Sequence, residues 1–252
     1  MTLRRSTLDR VDGYWARSLG CDRAALTDPG PTVVSGRTAG GEVRLLARGG
    51  ATVVAASSDR LAEVRRAVEA AEDPDAAGLA AALDLPADRV RGPQFLGYAD
   101  RTTLRPAPTD GVRELDRTDG AALARLRAAC TRREWSIRVG GFSFDAHSTL
   151  LGRFVDGRLV AVAAHGADDP VAGIGVVVHP EYRRRGHGTA VVVAVARDAL
   201  GQGLVPEYRA HESWTASVAL ARGAGLRRYG TYAAFEFDRS DPGPGIGVGS
   251  PP

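Results

Sequence analysis

Two apolar runs dominate the chain, Ala172–Val178 and Ala190–Ala196, and a polar turn with three arginines and two closely spaced glycines stands between them. The first run is short and valine-rich, which predicts a strand buried on both faces. The second belongs to a longer segment, Gly186–Leu200, whose length suits a helix. Around this pair the pattern predicts a strand at Val112–Leu115 and a helix at Ala121–Cys130, with Leu123 and Leu126 on its inner face. Strands at Leu150–Val155 and Leu159–Ala164 flank Asp156-Gly157, a strong hairpin signal. A strand at Val205–His211, a helix at Thr215–Ala224 and a strand at Tyr229–Phe237 complete the series. Strands and helices in this order predict an α/β fold (α+β, mixed sheet) with helices packed on the sheet.

The earlier half reads less clearly. Leu8, Val11, Tyr14, Trp15 and Leu19 give Ser6–Leu19 the stripe of an amphipathic helix. Strand-like runs at Thr32–Ser35, Glu42–Ala47 and Thr52–Ala56 are separated by glycine pairs. Ser58-Asp59 offers a cap for a helix at Leu61–Ala71, a shorter helix follows at Ala76–Leu83, and Gln94–Tyr98 reads as a strand. Arg105-Pro106-Ala107-Pro108 reads as a stiff linker. The expected organisation is therefore an additional N-terminal α+β domain over 1–108, of unknown role, and a second domain over 109–239. A Pro/Gly-rich tail, 240–252, has almost nothing to bury and is expected to be disordered.

Composition narrows the function. The formal net charge is only +3, with arginine in place of lysine and both signs interspersed. That argues against nucleic-acid binding, which needs a basic face. Cys21 and Cys130 stand far apart, with no Cys-x-x-Cys pair and no His/Cys cluster, so no metal site is expected. Both read as small core residues with reduced thiols. The first residues lack the apolar segment of a signal peptide, and no apolar run approaches the roughly 20 residues of a membrane span. The expectation is a cytoplasmic protein with no membrane partner. A P-loop is excluded by the lack of its glycine–lysine signature.

The turn carries the chemistry. Val176, Val177 and Val178 end the buried strand, and Pro180 stops it. A helix starting near Gly186 has unpaired N–H groups in its first turn and the positive end of its dipole there. Gly186 and Gly188 carry no side chain to block a ligand, and Arg183, Arg184 and Arg185 add positive charge. Strand, glycine turn and helix N-terminus make an anion site, most naturally for a pyrophosphate.

In this setting VVVHPEYRRRGHG resembles the acyl-CoA-binding motif of the GNAT family, the GCN5-related N-acetyltransferases. That family's Arg/Gln-x-x-Gly-x-Gly/Ala is matched by Arg183, Gly186 and Gly188. The later stretch SWTASVALARGAGLRRYG is similar to a second family segment through Ser217, Ala221 and Gly225-Leu226. The resemblance covers the C-terminal half. It implies a GNAT-like fold and an acetyl-CoA or other acyl-CoA cosubstrate, with no metal. It implies that the backbone of Val176, Val177 and Val178 bonds the pantetheine arm as an added strand would. It also implies that Arg184, Arg185, Gly186, His187, Gly188 and Thr189 cradle the pyrophosphate, with Trp214 and Ser217 along the arm. The acceptor is then a small-molecule or peptide amine, and a homodimer stays open.

The sequence departs from that family at three catalytic positions. An asparagine that relatives use to hold the arm is Trp214, a tyrosine that protonates the leaving thiolate is Ala221, and Ala172–Gly175 offers no carboxylate base. Glu134 and His211 are the candidate catalytic bases, with His147 a further histidine. Tyr229 and Tyr232 are the nearest tyrosines in sequence, and Trp135 and Phe142 are candidate acceptor-pocket residues. Two readings follow: an acyl-CoA-dependent N-acyltransferase, or a GNAT-like module that holds an acyl-CoA without catalysis.

Overall fold

The computed structural model describes residues 2–36, 41–71, 74–136 and 149–237. His147, Phe142 and the tail lie outside these residues. Among the described residues ten strands form one sheet: β1 (Gly30–Ser35), β2 (Val43–Arg48), β3 (Ala51–Ala56), β4 (Val90–Tyr98), β5 (Val112–Glu114), β6 (Leu150–Val155), β7 (Arg158–Asp168), β8 (Val171–Val178), β9 (Val205–His211) and β10 (Arg227–Phe235). Their order across the sheet is β1-β3-β2-β10-β4-β9-β8-β7-β6-β5. Seven α-helices cover it: α1 (Arg5–Leu19), α2 (Leu61–Ala70), α3 (Ala76–Ala82), α4 (Gly120–Ala129), α5 (Arg132–Ser136), α6 (His187–Gly201) and α7 (Thr215–Ala224). Of these only the one-turn α5 lacks a counterpart in the sequence pattern.

Strand alternation sorts the helices onto two faces. Ala161, Ala163, Ile174, Val176, Tyr208 and Ala210 point one way, into a core with α6 and α7. Val43, Leu45, Val54 and Phe235 point the same way, toward α2 and α3. On the opposite face Val162, Ala164 and Val177 pack under Leu123, Leu126 and Trp135 of α4 and α5. Further along that face Leu46, Val53, Leu96, Val205 and Tyr232 pack under Val11, Trp15 and Leu19 of α1. Val11, Trp15 and Leu19 are four apart, so they form one stripe of the helix.

The proline linker does not separate two sheets. Strand β4, from the N-terminal segment, lies between β9 and β10 of the C-terminal one and pairs antiparallel with both. The expected boundary at 108 is therefore one of chain order, and the sheet runs on across it. Pro93 is tolerated inside β4 because the register with β10 shifts there, between Tyr232 and Ala234; a bulge needs no N–H from it.

Candidate functional site

Strands β8 and β9 run parallel but pair over only three positions, Val171–Val205, Ala172–Pro206 and Gly173–Glu207. Both then continue, to Val178 and His211, without further registered pairs, and β9 turns its other edge to β4 from Glu207 to His211. The sheet thus opens beyond Gly173 and Glu207. By contrast the parallel pair β1–β3 stays in register over all six positions, so that pair leaves no such opening.

The arginine–glycine turn lies at the wide end of the opening. Pro180–Tyr182 form a single 3-10 turn capped by the His179 ring, and the chain then passes through two left-handed residues, Arg184 (φ +59°) and Gly186 (φ +83°), into α6. The first intrahelical bond of α6 runs from Ala190 N–H to Gly186 O at 3.0 Å. The N–H groups of His187, Gly188 and Thr189 therefore have no intrahelical acceptor, and no side chain caps the helix. Arg184, Arg185 and Gly186 are exposed, and His187 and Thr189 are half-buried. A positively charged, uncapped helix start suits a phosphate group. Burial, and then the Arg153 and Arg185 guanidinium groups, hold the His187 imidazole below its ordinary range, so its first-turn contribution near neutral pH is the N–H alone.

Several expected site residues take other parts. The Cβ position of Gly188 is closed by the fold itself: a Cβ there would lie 2.7 Å from Leu220 Cδ1 and 3.0 Å from Val178 Cγ2, and only its backbone N–H is left for a ligand. Its missing side chain lets α6 approach β8 and α7. Gly186 does have open space around its Cβ position. The Arg183 guanidinium folds back, with Nη2 2.6 Å from Glu134 Oε1 and Nε 3.3 Å from the Val178 carbonyl oxygen. Val176 and Val177 are buried on opposite faces and Val178 is half-buried, so these three offer a ligand only their backbone edge.

Glu134 is tied on both sides. Its Oε2 accepts from Thr131 N–H at 2.9 Å and from Thr131 Oγ at 3.0 Å. Partial burial pushes its carboxyl up, but the two Thr131 bonds and Arg183 outweigh burial and leave it below the ordinary range. A carboxylate so stabilised is a weak base. His211 is engaged at both nitrogens, by Gly92 and Ser213. Trp214 starts α7, with its ring 6.2 Å from that of His211. Ser217 Oγ lies 2.9 Å from the hydroxyl of Tyr208. Tyr229 and Tyr232 lie on the α1 face, opposite α7. Tyr229 donates to Asp12 at 2.8 Å, and Tyr232 packs on Trp15. Neither therefore stands in for the tyrosine missing at Ala221, which is itself fully buried. Trp135 is a core residue that also borders a hollow of about 350 Å³ beside Arg127, Cys130 and Thr131.

Sequence reading missed the cluster at the narrow end of the opening. Gly166, Gly173, Glu207 and Tyr98 stand side by side across β7, β8, β9 and β4. Nothing lies within 4 Å of a Cβ built on Gly166 or Gly173, so the sheet there is a bare floor. Next to it Glu207 is buried, with 4% of its surface exposed. It accepts from Tyr98 Oη at 2.5 Å and from Arg209 Nε at 2.6 Å. Burial alone would lower the Arg209 guanidinium, but the Glu207 charge outweighs it and the net direction is up. The Tyr98 hydroxyl is pushed up, first by burial and then by the same carboxylate. The only sequence signal is a Glu-x-Arg pair inside an apolar strand. Among the described residues no group of three His, Cys, Asp or Glu is placed to hold a metal ion, and no helix is long and apolar enough to cross a membrane.

Residues 114–226, within the C-terminal half of this chain, match the model of the acetyltransferase (GNAT) family. Similar solved structures include a GNAT-family protein from Novosphingobium aromaticivorans, 25% identical with a TM-score of 0.48, over 58% of this chain and 64% of that one. An acetyltransferase from the GNAT family of Colwellia psychrerythraea is 17% identical with a TM-score of 0.47, over 59% and 57%. The ribosomal-protein-S18-alanine N-acetyltransferase of Escherichia coli is 15% identical with a TM-score of 0.39, over 52% and 96%. The match spans less than two thirds of the length of the first two proteins. No curated protein matches the chain.

Proposed function

We propose that the protein is a cytoplasmic acyl-CoA-dependent N-acyltransferase that passes an acetyl group from acetyl-CoA to a primary amine by direct attack in a ternary complex. The observation that carries this reading is the loss of register between β8 and β9 beyond Gly173 and Glu207, with the uncapped start of α6 at the wide end. The residues present fit the cosubstrate. The first-turn N–H groups of α6, with Arg184 and Arg185, would hold the pyrophosphate, and the free edge of β8 would hold the arm. The cosubstrate supplies an acyl group activated as a thioester. The chain supplies position: strand N–H groups polarise the carbonyl, and an amine held beside it gains several kcal/mol from proximity alone. Glu134 is tied to Thr131 and Arg183, and His211 Nδ1 is turned toward Ser213, so the amine's proton leaves through water. The acceptor is a small molecule or a peptide.

Calorimetric titration with acetyl-CoA and with CoA tests the reading, followed by an amine panel with free-thiol detection. Micromolar binding with amine-dependent thiol release is expected. No binding at high ligand concentration would overturn it. Binding without thiol release from any amine would favour a GNAT-like module that holds acyl-CoA without catalysis, a reading supported by Ala221 standing where relatives carry tyrosine.

A further inference from the structure

His211 and Ser213 form a second reactive arrangement, one that direct amine attack does not use. His211 Nε2 lies 3.0 Å from the Gly92 carbonyl oxygen, and Nδ1 lies 2.7 Å from Ser213 Oγ. A carbonyl oxygen only accepts, so Nε2 carries the ring proton. Nδ1 then presents its lone pair, and the Ser213 hydroxyl donates to it. Ser213 N–H also points at Nδ1, at 3.2 Å, and holds the residue over the ring. The orienting carbonyl is itself fixed: Gly92 belongs to β4, and the adjacent Pro93 carbonyl accepts from Glu212 N–H at 2.9 Å. Nucleophile, base and orienting group thus follow in one line of hydrogen bonds. Ser213 is exposed. Helix α7 begins two residues later with no side-chain cap, so the N–H groups of Thr215 and Ala216 have no intrahelical acceptor. Such donors suit the oxygen of a carbonyl under attack.

We propose that Ser213 is an acyl-accepting nucleophile, with His211 as its base and the Gly92 carbonyl fixing the tautomer. The ligand class is a small activated acyl compound, a thioester or an aryl ester. Ser213 Oγ attacks the carbonyl carbon as Nδ1 takes the hydroxyl proton. The bond from that carbon to the leaving sulfur or oxygen breaks, and the imidazolium returns its proton to the departing thiolate or phenolate. The acyl group remains as an ester on Ser213. Water then hydrolyses the ester, His211 taking the water's proton and handing it to Oγ. This activity needs nothing from the arginine–glycine turn, so it stands or falls apart from CoA binding.

The test uses the full chain and p-nitrophenyl acetate, which carries an acetyl group and no part of CoA. The chain contains no lysine, which removes the commonest site of adventitious acetylation. The expected result is a nitrophenolate burst and an acetyl adduct that peptide mass spectrometry maps to Ser213 and hydroxylamine removes. Ser213→Ala abolishes the adduct, and His211→Gln slows its formation about 100-fold. Ser213→Cys retains labelling at that position, which keeps the test open if the histidine variant misfolds. Absence of an adduct on the wild-type chain overturns the proposal. So does labelling confined to Cys21, Cys130 or the amino terminus, or a rate unchanged in Ser213→Ala.

Discussion

Gly173 and Glu207 are the last registered pair between β8 and β9, and Glu207 is paired on its other side with Tyr98 of β4. Strand β9, which borders the opening, is thus held along its other edge by a strand that comes from before the proline linker. That arrangement makes the N-terminal segment part of the candidate site's foundation. It has a direct consequence for truncation.

A fragment spanning residues 109–237 would expose facing edges of β9 and β10 and leave Glu207 without Tyr98. Unpaired edges invite association. The fragment is expected to show no cooperative unfolding and to aggregate, where the full chain unfolds in a single transition. Denaturant unfolding followed by circular dichroism checks this.

Replacing Glu207 by leucine would leave the Arg209 guanidinium, its side chain only 15% exposed, without its carboxylate. Breaking one side of a buried ion pair costs about 3–5 kcal/mol. Urea unfolding of Glu207→Leu should show a loss of that order. A change under about 1 kcal/mol, the range of a solvent-exposed pair, would mean that water reaches Arg209 readily.

Gly188→Ala should destabilise by about 1–3 kcal/mol, the cost of overpacking, because the new Cβ meets Leu220 and Val178. Combining it with Leu220→Ala should relieve part of that clash, so the two effects will not add. A double-mutant cycle by thermal unfolding measures the difference.

Arg184 offers the cleaner probe of the phosphate cradle. Its left-handed backbone costs an L-residue about 1–2 kcal/mol, and its side chain is exposed. Arg184→Gly should therefore unfold at an equal or higher temperature while binding CoA at least about tenfold more weakly, a loss of about 1.4 kcal/mol. Unchanged CoA affinity in this variant would remove Arg184 from the cradle.

Burial, then the Arg158 guanidinium, holds the His179 imidazole below its ordinary range; Glu181 opposes the shift and Arg183 adds to it. The ring is met by Arg158 Nη2 at 2.6 Å from Nε2 and by Glu181 N–H at 3.3 Å from Nδ1; a neutral imidazole has a lone pair for one of these two donors and an imidazolium has none. As pH falls, the unfolded chain takes up this proton first. The stabilisation is therefore full above the unfolded value of about 6.5 and is lost as pH falls through the folded one. His187 has the same sign. The urea midpoint of the wild type should fall as pH drops below about 6.5, and less steeply in His179→Gln.

What could be read from residue order was local. Apolar spacing marked the strands and longer helices because each period is written in contiguous residues. The turn from Pro180 to Gly186 was legible because strand end, glycines and helix start are neighbours in the chain. Tertiary packing decided the rest. Tyr98 and Glu207 meet across 109 residues, and Arg183 and Glu134 across 49. No local pattern states which edge β4 will occupy or which way Gly188 will face. Those choices belong to pairing and close packing between distant segments, where a missing Cβ, a buried charge or a free strand edge acquires its meaning only from its neighbours.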